Sequence, residues 1–288
     1  MTDRRQIPQG TLKMTTPLQR AAALLLLLCV SSASGQLIFS RRVYKEQGAS
    51  YQQIWTWNPL NGELKALTNS ARDHYAPICD GRTIKFISPD PDMAEFNHAK
   101  SWKLNPGTGE ETIVGPIPES KEVTGSGRPG CDQFAKVGEL EACGNDESVV
   151  VSRSGKQIDR FLMRVDTCPK CDVSIHSLGW TEDGKWLLIG QEGLEDGSGS
   201  RQDDYFLLNL ATMKLSTVAS AETAFWLPGR DQIVYLTPRH LAQLPGARRR
   251  HNVWAQQLMS FDPAKGKSTP ITTSLEDDVD PSWCESAP

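Results

Sequence analysis

From Gln36 onward, apolar and polar positions alternate in short runs, each broken by Asn, Asp, Pro or Gly. Ile54-Trp55-Thr56-Trp57 runs into Asn58-Pro59, and Asn61-Gly62-Glu63 leads on to Leu64–Thr68. The same order recurs in Trp102–Pro106 with Thr112–Val114, in Tyr205–Asn209 with Lys214–Val218, and in Leu258–Pro263 with Thr269–Thr272. A fifth copy reads as Phe161–Asp166, a turn, and Val173. Period-two alternation bounded by turn residues predicts β-strands, so each copy predicts a hairpin.

A second segment precedes each hairpin: a strand ending in an aromatic residue or Cys, a tight turn, then an apolar strand. Ala76–Gly81 leads to Thr83–Ser88, Leu178–Gly184 to Trp186–Ile189, and Phe225–Gly229 to Ile233–Leu236. Cys143-Gly144-Asn145 leads to Val149-Val150-Val151. The last copy, Asp280–Cys284, has no strand after it, and the missing strand stands at the other end as Gln36–Ser40. Repeats of this length argue for stacked β-units. The expected fold is all-β: a five-bladed β-propeller closed by N- and C-terminal strands in one blade, which leaves only short protected sheet edges. Insertions are expected at Pro116–Pro129, Gly190–Asp203 and Pro238–His251.

These residues carry a family likeness. Ile54–Thr68, Trp180–Ile189 and Asp280–Trp283 resemble the β-propeller repeat of TolB-like proteins, which also occurs in propellers attached to peptidases and in some lyases. The likeness spans most of Gln36–Cys284. It implies a propeller with a protein or peptide partner in the cell envelope, without the α/β domain that TolB-like proteins place before theirs.

The N-terminal region changes the cellular setting. Arg4, Arg5, Lys13 and Arg20 precede the apolar run Ala21–Val30, and the small residues Ser31–Gly35 follow. A basic region, a short apolar core and a small-residue cleavage site read as a secretory signal peptide over 1–35, followed by a propeller domain over 36–288. The apolar run is too short for a membrane span. A periplasmic or secreted monomer is expected, with no span after cleavage. Cys29 leaves with the leader, and Cys79, Cys131, Cys143, Cys168, Cys171 and Cys284 remain as candidates for disulfides. Cys79–Cys284 would join adjacent blades and Cys131–Cys143 is the competing local pair. Cys168-Pro-Lys-Cys171 is expected to staple a hairpin turn. The net charge of -4 gives no reason to expect nucleic acid.

Candidate chemistry collects just before the inner strands, where side chains approach a propeller's central channel. Asp73, His74, Asp172, His176, Glu222, Asp277 and Asp278, with Asp280, form this set. It is expected to be a binding face. No spacing singles out an acid–base pair, no G-x-S-x-G or H-E-x-x-H is present, and no catalytic residue, metal or cofactor is assigned. The alternative is a glycan-active enzyme, a glycosidase or lyase, using these carboxylates or the pair His74 and His176. Trp180, Trp226 and Trp283 recur at one place in the repeat and are expected to fill space between blades. Gly179–Lys185 lacks the Ser or Thr of a phosphate loop and is read as a repeat turn. Arg248-Arg249-Arg250-His251 is expected at a solvated loop tip.

Overall fold

A computed structural model of the chain describes residues 35–44, 50–91, 98–117, 130–163, 172–194, 201–241, 253–273 and 276–285. The leader, Cys168, Cys171 and Arg248–His251 lie outside them. The described residues form twenty strands and no helix. No helix among them is long and apolar enough to cross a membrane.

The strands make five four-stranded antiparallel sheets, the arrangement of a five-bladed β-propeller. The first blade contains β1 (Gln36–Tyr44), β2 (Ser50–Trp57) and β3 (Leu64–Ala66). The second is β4 (Tyr75–Asp80), β5 (Thr83–Pro89), β6 (Ala99–Asn105) and β7 (Glu110–Pro116). The third is β8 (Gln133–Val137), β9 (Leu140–Asn145), β10 (Ser148–Arg153) and β11 (Lys156–Leu162). The fourth is β12 (Asp172–Trp180), β13 (Trp186–Leu194), β14 (Arg201–Asn209) and β15 (Lys214–Ser220). The fifth is β16 (Thr223–Trp226), β17 (Ile233–Leu241), β18 (Val253–Asp262) and β19 (Lys267–Pro270). The last strand, β20 (Asp277–Cys284), returns to pair with β1, with Leu37 opposite Trp283 and Arg41 opposite Asp278. The N- and C-terminal strands therefore share one blade.

The third blade differs from the sequence reading. Phe161 lies in β11 and Val173 in β12, which belong to different sheets, so the segment between them joins two blades and is not a hairpin turn. The hairpin in that place of the repeat is β10–β11, turning through Ser154-Gly155, and it follows β8–β9, which turns through Gly138 at φ 55. Cys143 consequently sits on β9, the second strand of its blade, and not on an inner strand. The expected insertions are also narrower, because β13 and β14 pair as far as Leu194 and Arg201, and β17 continues through Leu241.

Apolar side chains fill the space between blades. Ala142, Val149 and Val151 meet Ile175, Leu187 and Ile189 between the third and fourth blades. Leu188, Tyr205 and Leu207 meet Ile233, Tyr235 and Phe261 between the fourth and fifth. Leu37, Phe39 and Trp57 meet Val234, Leu236 and Leu258 between the fifth and first. Ile38 and Ile54 meet Ile84, Phe86, Trp102 and Leu104 between the first and second. Each fully buried residue of this size contributes roughly 1.5–3 kcal/mol by area alone.

Among the described residues, no such cluster joins the second blade to the third. On the face of the second blade turned away from the first, the row Ile78, Lys85 and Lys103 is half-exposed or exposed, and Asp80 pairs with both lysines at 3.2 and 3.3 Å. On the third blade, Lys136 pairs with Glu141 at 3.0 Å on an exposed surface.

Two disulfides form. Cys79–Cys284 joins β4 to β20 across the first and second blades, with Cα atoms 5.5 Å apart. Cys131–Cys143 is local, with Cα atoms 5.3 Å apart. Both separations lie within bridging range. Disulfides fit an oxidising, extracytoplasmic setting.

Candidate functional site

The first strand of each blade runs from one end of the molecule to the other, and this divides the connections into two sets. The entry end is where β5, β7, β11 and β17 end and β6, β8, β12 and β18 begin. The exit end carries short turns such as 81–82, 138–139 and 154–155. The candidate residues lie at the entry end, as their place in the repeat demands. Asp73 and His74 precede β4, Glu222 precedes β16, Asp277 and Asp278 open β20, and Asp172 and His176 lie within β12 rather than before it.

The structure gives these residues unequal environments. Asp73 is half-buried: its Oδ1 accepts the backbone N–H of Gln52 at 2.7 Å and its Oδ2 accepts the Tyr75 hydroxyl at 2.8 Å. Burial, followed by that bond to Asp73, pushes the Tyr75 phenol up to about 12. Asp277 repeats the tie one blade earlier, accepting the Gln256 N–H at 2.6 Å. Burial raises the Asp277 carboxyl, outweighing the Gln256 N–H bond that lowers it. Thr68 and Thr272 complete the match, accepting the N–H groups of Ile54 and Leu258. Thr68–Asp73 and Thr272–Asp277 thus form two copies of one device, which fastens the start of an inner strand to the third strand of the preceding blade.

His74 and Asp278 are fully buried. The His74 ring lies 3.0 Å from the Gln52 carbonyl through Nδ1 and 3.3 Å from Glu111 through Nε2, and packs on Phe86. Burial would raise the Glu111 carboxyl, but the hydrogen bond to His74 and the charge of Arg72 hold it below its ordinary value. Asp278 accepts from Arg41 Nε at 2.6 Å and from the Thr272 hydroxyl. Arg41 is itself buried over the Trp55 ring, 4.7 Å from its centroid. A buried charge persists only when paired in this way. Asp280, at φ 52, accepts the Ala76 N–H at 3.0 Å and links β20 to β4.

Asp172 and Glu222 remain exposed, and Glu222 accepts from the Gln256 amide at 2.9 Å. His176 occupies a β-bulge between Ile175 and Ser177 and meets Tyr205 edge-on at 5.4 Å. Of the seven candidates, then, Asp172, His176 and Glu222 face outward in part, while Asp73, His74, Asp277 and Asp278 hold blades together. Among the described residues, no three His, Cys, Asp or Glu side chains converge as metal ligands would.

The exit end holds a feature that the sequence did not single out. A cleft of about 440 Å³ opens there between the fourth and fifth blades, between Trp180 and Trp226. These two residues end β12 and β16. Each indole N–H donates to the inner strand of the preceding blade: Trp180 to the Ala135 carbonyl at 3.3 Å and Trp226 to the Gly179 carbonyl at 2.8 Å. The space-filling role expected for the repeated Trp is thus present, but both rings stay half-exposed and also line the cleft. The turns after them contribute Glu182, Asp183, Arg230 and Asp231. An acidic residue soon after each repeated Trp was the available signal.

No protein-family model matches the sequence, and no curated protein matches it. Solved structures do. TolB from Acinetobacter baumannii is 12% identical, over 92% of this chain and 71% of TolB, with a TM-score of 0.40. In fold the chain resembles TolB-like β-propellers. The β-propeller domain of the trilobed protease from Pyrococcus furiosus is 14% identical over 70% of this chain and 58% of the domain, with a TM-score of 0.33. An acylaminoacyl peptidase from Pyrococcus horikoshii is 10% identical over 73% of this chain and 33% of the peptidase, with a TM-score of 0.35. The likeness is one of fold.

Proposed function

We propose that the chain is an exported, non-catalytic propeller of the cell envelope whose ring binds a protein or peptide. The observation that carries this reading is the use made of the entry-end charges. Acid–base or nucleophilic chemistry requires carboxylates or histidines free to meet a substrate. Asp73, Asp277 and Asp278 instead accept from Gln52, Gln256 and Arg41, and His74 is enclosed between Gln52 and Glu111. Asp172 and Glu222, both exposed at the same end, present polar groups suited to recognition. Closure of the ring would follow from β20 pairing with β1 and from the Cys79–Cys284 bond.

The test is capture from an envelope extract by the purified protein and by D172A/E222A. Both substituted positions are exposed, so the fold is retained. One protein held by the wild type and lost from the variant supports the reading and locates the face. No protein held by either overturns it.

A further inference from the structure

We propose that the cleft between Trp180 and Trp226 receives a basic side chain, arginine by preference, from a peptide partner; this rests on the binding reading above and names the chemistry of one contact. The argument begins with what the cleft leaves unsatisfied. Both indole N–H groups are already spent on the carbonyls of Ala135 and Gly179. The rings are therefore fixed in place, and what they offer the cleft is aromatic surface. Such a surface attracts a cation placed over it, and a planar guanidinium also stacks on it.

The charges around the rings point the same way. Asp183 is engaged within its own turn by the Thr181 hydroxyl and by the Lys185 amide and ammonium. Hydrogen bonding to Lys185 holds its carboxyl down at about 2. Glu182 uses Oε1 to accept the Gly229 N–H at 3.0 Å, which braces one turn against the other and leaves Oε2 to a ligand. Asp231 is exposed at the rim. Arg230 is the one cation among the lining residues, and its Nη1 is drawn toward the first blade by the Pro59 carbonyl at 3.0 Å. Two aromatic rings, the second oxygen of Glu182 and Asp231, which the Lys185 charge also attracts, match a guanidinium, whose donors can reach a carboxylate while its plane lies on a ring.

The probe is the neutral-ended tripeptide acetyl-Gly-Arg-Gly-amide, compared with its citrulline counterpart, which keeps the shape and loses the charge. Binding is read from the indole N–H signals of Trp180 and Trp226 in NMR titrations of the purified protein. The arginine peptide is expected to shift both signals saturably, and the citrulline peptide to bind at least tenfold more weakly. In E182Q/D231N the arginine peptide is expected to lose about tenfold in affinity. The Gln side chain keeps an acceptor for the Gly229 N–H, so the turn stays braced. Equal binding of the two peptides, or no shift at millimolar arginine peptide, overturns the proposal. Capture from the envelope extract by wild type and E182Q/D231N separates the two failures. A partner held equally by both leaves the binding reading standing and removes the cleft from it. A partner held by neither removes the binding reading itself.

Discussion

The bond between Cys79 and Cys284 lends itself to a quantitative test. It closes a loop of 205 residues, whereas Cys131–Cys143 closes one of 12. If a disulfide acts by restricting the unfolded chain, the long loop stabilises by on the order of 5 kcal/mol and the short one by about 3 kcal/mol. The long bond also has a specific duty in the native state. Its Cys284 is fully buried in the apolar cluster between the first and second blades, and Cys79 packs against the same cluster. The variants C79A/C284A and C131A/C143A each remove a whole pair and leave no stray thiol. For a domain of this size, the losses correspond to melting-point shifts of about 10–20 °C and about 6–12 °C. Thermal unfolding followed by near-ultraviolet circular dichroism reads both. Treating the wild type with a reductant should reproduce the sum of the two shifts. If C79A/C284A loses no more than C131A/C143A, the long bond does not restrain the blades in the way argued, and loop closure is not what it contributes.

Three further outcomes follow from the same structure. D73A and D277A should each destabilise by about 1–3 kcal/mol, because each leaves a backbone N–H at a blade junction without its acceptor, and guanidinium unfolding would show it. I84A should cost roughly 2–5 kcal/mol, whereas I78A should cost under about 0.5 kcal/mol. Ile84 is fully buried between blades, and Ile78 is 53% exposed on the face turned away from the first blade. Equal costs in the same assay would show that the second blade has a covered outer face. Asp183, held at about 2 by Lys185, has a folded value below its unfolded one, so its contribution is present above roughly pH 4 and fades as the pH falls toward 2. NMR titration of its carboxyl carbon, with K185M returning the midpoint to the ordinary range, checks the assignment.

Four of the five blades were legible because their strands end in strong turn residues. Asn58-Pro59, Asn105-Pro106, Asn209 and Asp262-Pro263 all end the third strand of a blade. The third blade lacks that punctuation. Its turns fall at Gly138-Glu139, Asp146-Glu147 and Ser154-Gly155, and strands this short and polar, such as Gln133–Val137, resemble loop by composition. The hairpin was therefore placed one strand too late. The environments of the candidate residues were hidden for a different reason. Asp277 and Asp278 are adjacent, and neighbours on a strand point to opposite faces, so both could not look into one channel. Asp278 turns inward to Arg41, a partner 237 residues away that no local pattern reveals. His176 fell in a bulge, which re-aims a side chain without leaving a sequence mark.

The distribution of apolar contacts gives the disulfides their meaning. From the third blade through the fourth, fifth and first to the second, every junction has an apolar cluster. Among the described residues, the second blade receives such a cluster on one side only, and its other face carries Lys85, Lys103 and Asp80. A blade with an apolar cluster on one side buries less apolar surface than one with clusters on both, so its attachment depends more on what remains. The Cys79–Cys284 bond, the Ala76–Asp280 hydrogen bond and the Asp73 tie to Gln52 all fall on that one packed side. The Thr–Asp tie recurs between the fifth and first blades, but the covalent link between blades falls where the apolar contribution is one-sided. Asp73, His74 and Asp280 each contribute to fastening the second blade to the first.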